Sequence, residues 1–247
     1  MNSFLFVLNK ELFKLIRKKK YIVFTVIGIL VSLARWGGSA LVSKLSQGTV
    51  TIKANIGLEM LPFAVEILIP IVIFIAVSDL FTHEYSSDTL KMSLLQPVNR
   101  FKLLSAKAAA SLLIGAAILI ILYFVNIAIQ IFSGGNTGGL FVTFAAYLID
   151  IIPLIGIAFL GVLINVSLKG PTSATLLSLA VYGVMKYMGL YVAGSASFLF
   201  TASAKLHLML LGQPLPFHVL MYKFGILAGS ILILYSLSYI IFERKNI

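Results

Sequence analysis

The chain has 247 residues, 60% of them apolar and only 11% charged, with a mean hydropathy of +1.06. Soluble domains carry charge at about a quarter of their positions, so this chain has too few polar side chains to cover itself in water, and a soluble enzyme is excluded in favour of a chain whose solvent is the bilayer. Zero cysteines remove disulfides, thiolate metal sites and thiol catalysis, and the net charge of +11 gathers at the ends of apolar runs, as membrane topology requires, and not in a nucleic-acid patch.

The first element is an amphipathic helix over 1–20. Phe4, Leu8, Leu12 and Leu15 share one side at helical spacing, while Lys10, Lys14, Arg17 and Lys18 lie largely elsewhere. Such a helix rests on the inner membrane surface, its apolar side in the interface and its basic side towards anionic headgroups. Six apolar runs follow at 21–42, 60–82, 103–132, 140–166, 172–193 and 218–241, each near the ~20 residues that cross a bilayer core. Gly37-Gly38, the glycine cluster at 134–139 and Gly170-Pro171 punctuate them. The long polar prefix with Glu11, and the want of a small-residue cleavage site, make the first run a retained span and not a signal peptide. Between the fifth and sixth runs, 194–217 is apolar but interrupted, which predicts short re-entrant helices at the outer surface or a poorly bounded extra span. His207 and His218 are expected there as interfacial polar tips. Small residues in the third span (Ala106, Ala110, Ser111, Gly115) and the Gly225/Gly229 pair of the sixth are assigned to close helix packing within the bundle.

With the amino terminus inside, thirteen of the nineteen Lys and Arg fall on the inner side and six on the outer, so both termini are expected in the cytoplasm. Glu66, Asp150 and Lys186 lie inside spans, where a charge costs on the order of 3 kcal/mol. Rise per residue puts Glu66 and Lys186 in the outer leaflet and Asp150 nearer the middle, so Lys186 has two possible acid partners. Either these groups line a translocation path or gate, or they are interhelical hydrogen-bonding groups with a snorkelling lysine.

No G-x-x-x-x-G-K-[ST] loop exists to wrap a nucleotide's phosphates, His83-Glu84 lacks the second histidine of a zinc helix, and no Ser/His/carboxylate grouping presents itself. The most informative stretch is the loop after the second span. It holds Asp79, Glu84 and Asp88, then a short helix with Leu90, Leu94 and Leu95 on one edge, a cap from Ser87, Asp88 or Thr89, and Pro97 as its stop. Glu84, Thr89-Leu90, Leu94-Leu95, Pro97, Arg100 and Lys107 stand at the spacing E-x-x-x-G-T-x-x-x-x-L-L-x-P-x-x-R-x-x-x-x-x-x-K, which resembles the ABC-2 type transporter permeases. Asp88 stands where that pattern has glycine, which puts the local turn in question because glycine reaches positive φ cheaply.

The resemblance implies an all-α membrane protein: a single six-span transmembrane domain over 1–247 that pairs with a second permease copy or homologue and is driven by a separate cytoplasmic ATPase. ATP and magnesium would then sit on that partner and no cofactor on this chain, which would itself be no enzyme. By resemblance, 84–100 is the coupling segment. Glu84 and Arg100 would make ionic contacts with the ATPase or the amino-terminal helix; Leu90 and Leu94 would pack into the partner's cleft, Asp88 and Thr89 would start the helix, and Pro97 would turn the chain into the third span. Size and Lys- and Ile-rich composition are similar to permeases of low-GC Gram-positive bacteria that expel antimicrobial or cytolytic peptides, of the phenol-soluble modulin or lantibiotic self-protection kinds. An exporter in the cell membrane with an amphipathic or hydrophobic cargo is therefore expected, with a lipid-linked compound, antibiotic or ion as other cargoes. A proton-coupled secondary transporter using Glu66 and Asp150 is the competing class, although no internal repeat supports it.

Overall fold

The computed structural model describes residues 3–45, 55–86, 99–133, 139–192, 194–212 and 216–244, and among them every regular element is helical. Helix α1 (Ser3–Ile16) is broken from α2 (Lys19–Leu45) at Arg17-Lys18. The next rod runs through α3 (Ile56–Phe63), a π-helical turn (Ala64–Leu68), α4 (Ile69–Leu80) and the short α5 (Thr82–Ser86). Then come α6 (Arg100–Phe132), the pair α7 (Leu140–Ile149) and α8 (Ile151–Ser167), and α9 (Pro171–Tyr191). Two 3-10 turns (Ser195–Ser197, Phe200–Ser203) and α10 (Leu206–Leu211) precede the last helix, α11 (Phe217–Arg244).

Five stretches among the described residues are long and apolar enough to cross a bilayer: Lys19–Leu41, Ile56–Tyr85, Arg100–Phe132, Leu140–Ser167 and Phe217–Arg244. The chain is an all-α membrane protein. Helix α9 occupies the fifth predicted span and is about 32 Å long at 1.5 Å per residue, but Thr172, Ser173, Thr175, Ser178 and Lys186 dilute its hydropathy and keep it out of that set. Where the sequence predicts an interrupted apolar segment, the chain folds into the short turns and α10 between α9 and α11.

Helix α4 is the centre of the bundle. Ile69, Val72, Ile73, Phe74, Ala76 and Val77 are all buried, so apolar side chains on every face of this helix meet protein. The close approaches rest on glycines. A Cβ on Gly115 of α6 would lie 3.0 Å from Ile73 Cγ1, and one on Gly161 of α8 only 2.8 Å from Phe74 Cδ1. Ala106, Ala110 and Ser111 are fully buried beside them, so the small residues of α6 do pack the bundle. The Gly225/Gly229 pair does not: a Cβ at either meets nothing within 4 Å, and α11 turns these glycines away from its own chain.

Two prolines shape the second rod. Pro70 has no N–H to give the carbonyl of Glu66, and the Tyr182 hydroxyl donates to that oxygen instead at 3.0 Å. The preceding turn is wound wider, with Ile69 N–H bonding Ala64 O five residues back. In the fourth span, Asp150 forms the joint between α7 and α8, and Pro153 in the first turn of α8 denies a donor to the turn before it.

The amino-terminal helix turns its predicted apolar stripe to protein. Phe4, Leu8, Leu12 and Leu15 do share a side, but that side, with Val7 and Glu11 at its centre, packs on the bundle, chiefly on α6. The opposite side exposes Leu5, Phe6, Phe13 and Ile16, with the Arg17 guanidinium 4.2 Å over the Phe13 ring. Apolar residues on both sides leave no basic face, because Lys14 and Lys18 are drawn towards buried acids.

Candidate functional site: two charge clusters on one rod

The Ile56–Tyr85 rod carries one charge cluster at Glu66, in its first half, and another at Glu84, at its end. Glu66 and Glu84 are eighteen residues apart, about 27 Å along a helix axis.

At the Glu84 end the centre is Lys107 of α6, which is 0% exposed. Its ammonium donates to Glu84 Oε2 at 2.6 Å and to the Leu80 carbonyl at 2.8 Å, and lies 3.5 Å from Glu11 Oε1. The other oxygen of Glu84 accepts from Lys14 at 2.7 Å, and Lys14 returns to Glu11 at 3.0 Å. Two lysines and two glutamates from α1, α5 and α6 thus meet in one knot, two charges of each sign. A lone charge here would cost several kcal/mol, whereas the pairs and the extra carbonyl leave each ammonium solvated by protein. Burial works against the charge on Lys14, but the hydrogen bonds and charges of Glu84 and Glu11 outweigh it and hold its pKa above the ordinary lysine value.

A third acid lies near the knot. Asp79, just inside α4, accepts from the Tyr21 hydroxyl at 2.7 Å and pairs with Lys18 at 3.1 Å and Lys20 at 2.6 Å, fixing the start of α2. On the far side, Thr82 donates to Asn165 Oδ1 at 2.6 Å, and the Asn165 amide donates to Gly161 O at 2.8 Å, tying α5 to α8. Arg100, at the start of α6, donates to the Glu243 carbonyl at 2.6 Å and so satisfies an open carbonyl near the end of α11. Glu84 and Arg100 therefore flank the predicted coupling segment with their side chains engaged inside the chain. Asp88, Thr89, Leu90, Leu94 and Pro97 lie outside the described residues.

At the Glu66 end, Lys186 of α9 meets Glu66 Oε1 at 2.7 Å, and Lys205, just before α10, lies 3.3 Å from Oε2. Of the two acids open to Lys186 in the sequence, Glu66 is its partner. Beside the pair runs an open groove of about 350 Å³ between the rod and α9, walled by Ile67, Pro70, Ile71, Leu179 and Leu190 and floored by Gly183. Asp150 is elsewhere. It is fully buried at the α7–α8 joint, accepting the His207 backbone N–H at 2.9 Å and facing His207 Nδ1 at 2.5 Å. His207 is thus a buried partner of Asp150 and not an interfacial tip, since the carboxylate needs donors at a depth without water. Glu66 and Asp150 both hold the 194–212 stretch to the bundle, through residues two apart in it.

Sequence reasoning missed Glu11, Asp79 and the burial of Lys107. A signal existed for Glu11: it sits between Val7 and Leu15 at four-residue spacing, an acid in the middle of an apolar stripe, which calls for a buried cation. Among the described residues, no three His, Asp or Glu are grouped so as to hold a metal.

No curated protein matches the chain. A family profile does, over residues 7–186, from the Val7 face of α1 through both acid clusters to Lys186; its description is ABC-2 family transporter protein. That range is more than two thirds of the sequence, so the chain belongs to the ABC-2 family of transporter proteins, membrane subunits that work with a partner ATPase.

Proposed function

We propose that this permease subunit serves an ATP-driven exporter in the cell membrane, with both termini cytoplasmic, a second permease copy or homologue beside it, and a separate ATPase docked on 84–100. The observation that carries the reading is the knot at Lys107. It clamps the first residues of that segment to α1 and α6, so a push delivered to 87–98 is passed to two helices at once and not absorbed by a loose loop. Leu90 and Leu94 enter the ATPase cleft, Asp88 or Thr89 starts the docking helix, and Pro97 turns it into α6.

The cargo is amphipathic or hydrophobic, an antimicrobial or cytolytic peptide by preference, because the spans offer many Phe, Leu, Ile and Tyr and few fixed charges. Glu66 with Lys186, and Asp150 with His207, close the outer end of the path.

The test is mass spectrometry of proteins recovered with the tagged chain in mild detergent, comparing the natural chain with a Leu94→Asp, Arg100→Ala variant. These positions avoid Glu84, whose loss would strand Lys107. A soluble ATPase recovered with the first and depleted in the second supports the docking assignment. A folded chain that brings down no ATPase in either form overturns it and points to the ion-coupled carrier, with Glu66 and Asp150 as proton sites.

A further inference from the structure

The end of the rod, the end of α8 and the first turns of α9 meet in a belt of neutral polar side chains, Ser78, Thr82, Asn165 and Ser178, all buried. Ser78 donates to the Pro171 carbonyl at the start of α9, at 2.9 Å. Asn165 stands between two helices. Its oxygen accepts from the Thr82 hydroxyl of α5 at 2.6 Å, and its amide, besides donating to Gly161 O in its own helix, reaches Ser178 Oγ of α9 at 3.5 Å. Ser178 donates its own proton to the Ala174 carbonyl at 2.7 Å, so it meets Asn165 as an acceptor. The grip is unequal, short on Thr82 and at the long limit on Ser178. Helices α5 and α8 therefore form one unit, and α9 is the helix that shifts against it.

The way α9 is held suits such a shift. Its buried residues are Ala174, Ser178 and Tyr182, four apart, and Lys186 continues the same stripe, so one narrow seam joins the helix to the bundle. The outer members of that seam are the Tyr182 hydroxyl on the Glu66 carbonyl and the Lys186 ammonium on the Glu66 carboxylate. Ser178 and Lys186 are eight residues apart, about 12 Å along one continuous helix, so a displacement imposed at the first reaches the second. Glu66 is not stranded when α9 moves, because Lys205 reaches its other oxygen from outside α9. We propose that Asn165 is the positioning residue through which movement of α5 reaches α9, and that it thereby sets whether Lys186 meets Glu66. An amide accepts from one helix while donating to another, which no apolar side chain of α8 does, and buried bonds of this kind fix the register of neighbouring helices in a membrane. The inference rests on the ATPase docked beside α5, as proposed above.

The natural sequence has no cysteine, so two introduced ones are clean reporters. Phe132→Cys and Leu190→Cys, both at exposed positions near the ends of α6 and α9, carry spin labels in the full-length chain purified with its ATPase. Their separation is measured without nucleotide and after trapping with magnesium ATP and vanadate, and only trapped complexes are compared, so a changed hydrolysis rate does not enter. Trapping should move the distance by about 2 Å or more, the scale of a helix shift. Ser178→Ala, a mild change that keeps the Thr82 bond, should cut that movement by at least half. Thr82→Val should do the same from the other side of Asn165, and the double variant should lose no more than the larger single loss, since the two bonds lie in series. A movement intact in Ser178→Ala, with only the thermal midpoint lowered, overturns the proposal and leaves the belt a structural tie. So do losses that add in the double variant, or a trapped complex in which α9 has not moved. A chain that brings down no hydrolysing partner refutes the exporter reading itself, and the role of Asn165 falls with it.

Discussion

The Glu84 and Glu66 clusters of the Ile56–Tyr85 rod use the same chemistry to opposite effect. At Glu84 the charges balance, and the central ammonium is fully enclosed, with Glu11 beside it equally hidden. At Glu66 they do not balance, and the side chains of Glu66, Lys186 and Lys205 keep 26%, 19% and 37% of their surface exposed. A buried ion pair is costly to break, because the survivor is left as an unpaired charge, whereas an acid that two cations reach keeps one when the other leaves. The first arrangement suits a rigid joint that transmits force, the second a place where a charged group arrives and leaves.

The largest break in that comparison is at the rigid end. Lys107→Met takes from Glu84 the ammonium that stands 2.6 Å away and leaves Glu11 facing a thioether, and should cost about 3–5 kcal/mol. Thermal unfolding in detergent would show it as a large fall in midpoint. Adding Glu84→Gln to Lys107→Met should recover part of the loss by removing the stranded charge. A single Lys107→Met variant as stable as the natural chain would mean that the knot is not a structural joint.

Next in size is Gly161→Val. The new side chain meets Phe74 in the centre of the bundle, at an approach already 2.8 Å for a bare Cβ, and overpacking of this kind costs about 1–3 kcal/mol. Gly225→Val is the control, since nothing stands within 4 Å of the added carbon, and its midpoint in the isolated chain should barely move. A loss at Gly225 confined to the assembled transporter would show instead that another chain packs there.

A third, comparable effect belongs to Asp150→Ala. It leaves the His207 N–H and ring nitrogen without an acceptor in a dry site, costing about 1–3 kcal/mol, and it frees one of the two ties on 194–212. A cysteine placed at Leu208 should then react faster with a membrane-impermeant maleimide. Unchanged labelling would show that Lys205 and the packing of Phe200 against Gly156 hold the segment unaided.

How much of this was legible follows from what a linear pattern can carry. The spans were readable because a bilayer demands ~20 apolar residues whatever their neighbours do, and α6 and α11 begin and end within a few residues of their apolar runs. Lys107 was not readable as a core residue. In sequence it is one of several inner-side cations, and only the packing of α1 and α5 on α6 brings Glu11 and Glu84, ninety-six and twenty-three residues away, to the same nitrogen. Lys186 was readable as needing an acid, but choosing Glu66 over Asp150 required the short helices of 194–212, whose His207 takes Asp150 out of contention. Gly225 and Gly229 misled for the opposite reason: a small-residue pair announces a close approach without saying whether the approaching helix belongs to the same chain.

The smallest change in stability should accompany a large change in function. Lys186→Met leaves Lys205 beside Glu66, so no acid is stranded in the span, and the folded chain and its hold on the ATPase should survive. If the Glu66 end is the outer gate, cargo efflux from reconstituted vesicles should nonetheless collapse, because Lys205 reaches the acid from 194–212 and cannot bridge the rod to α9 as Lys186 does. Lys186→Arg, which keeps the bridge, should restore a substantial part of the efflux. Normal transport by Lys186→Met would leave the pair as an interhelical tie with no part in the path.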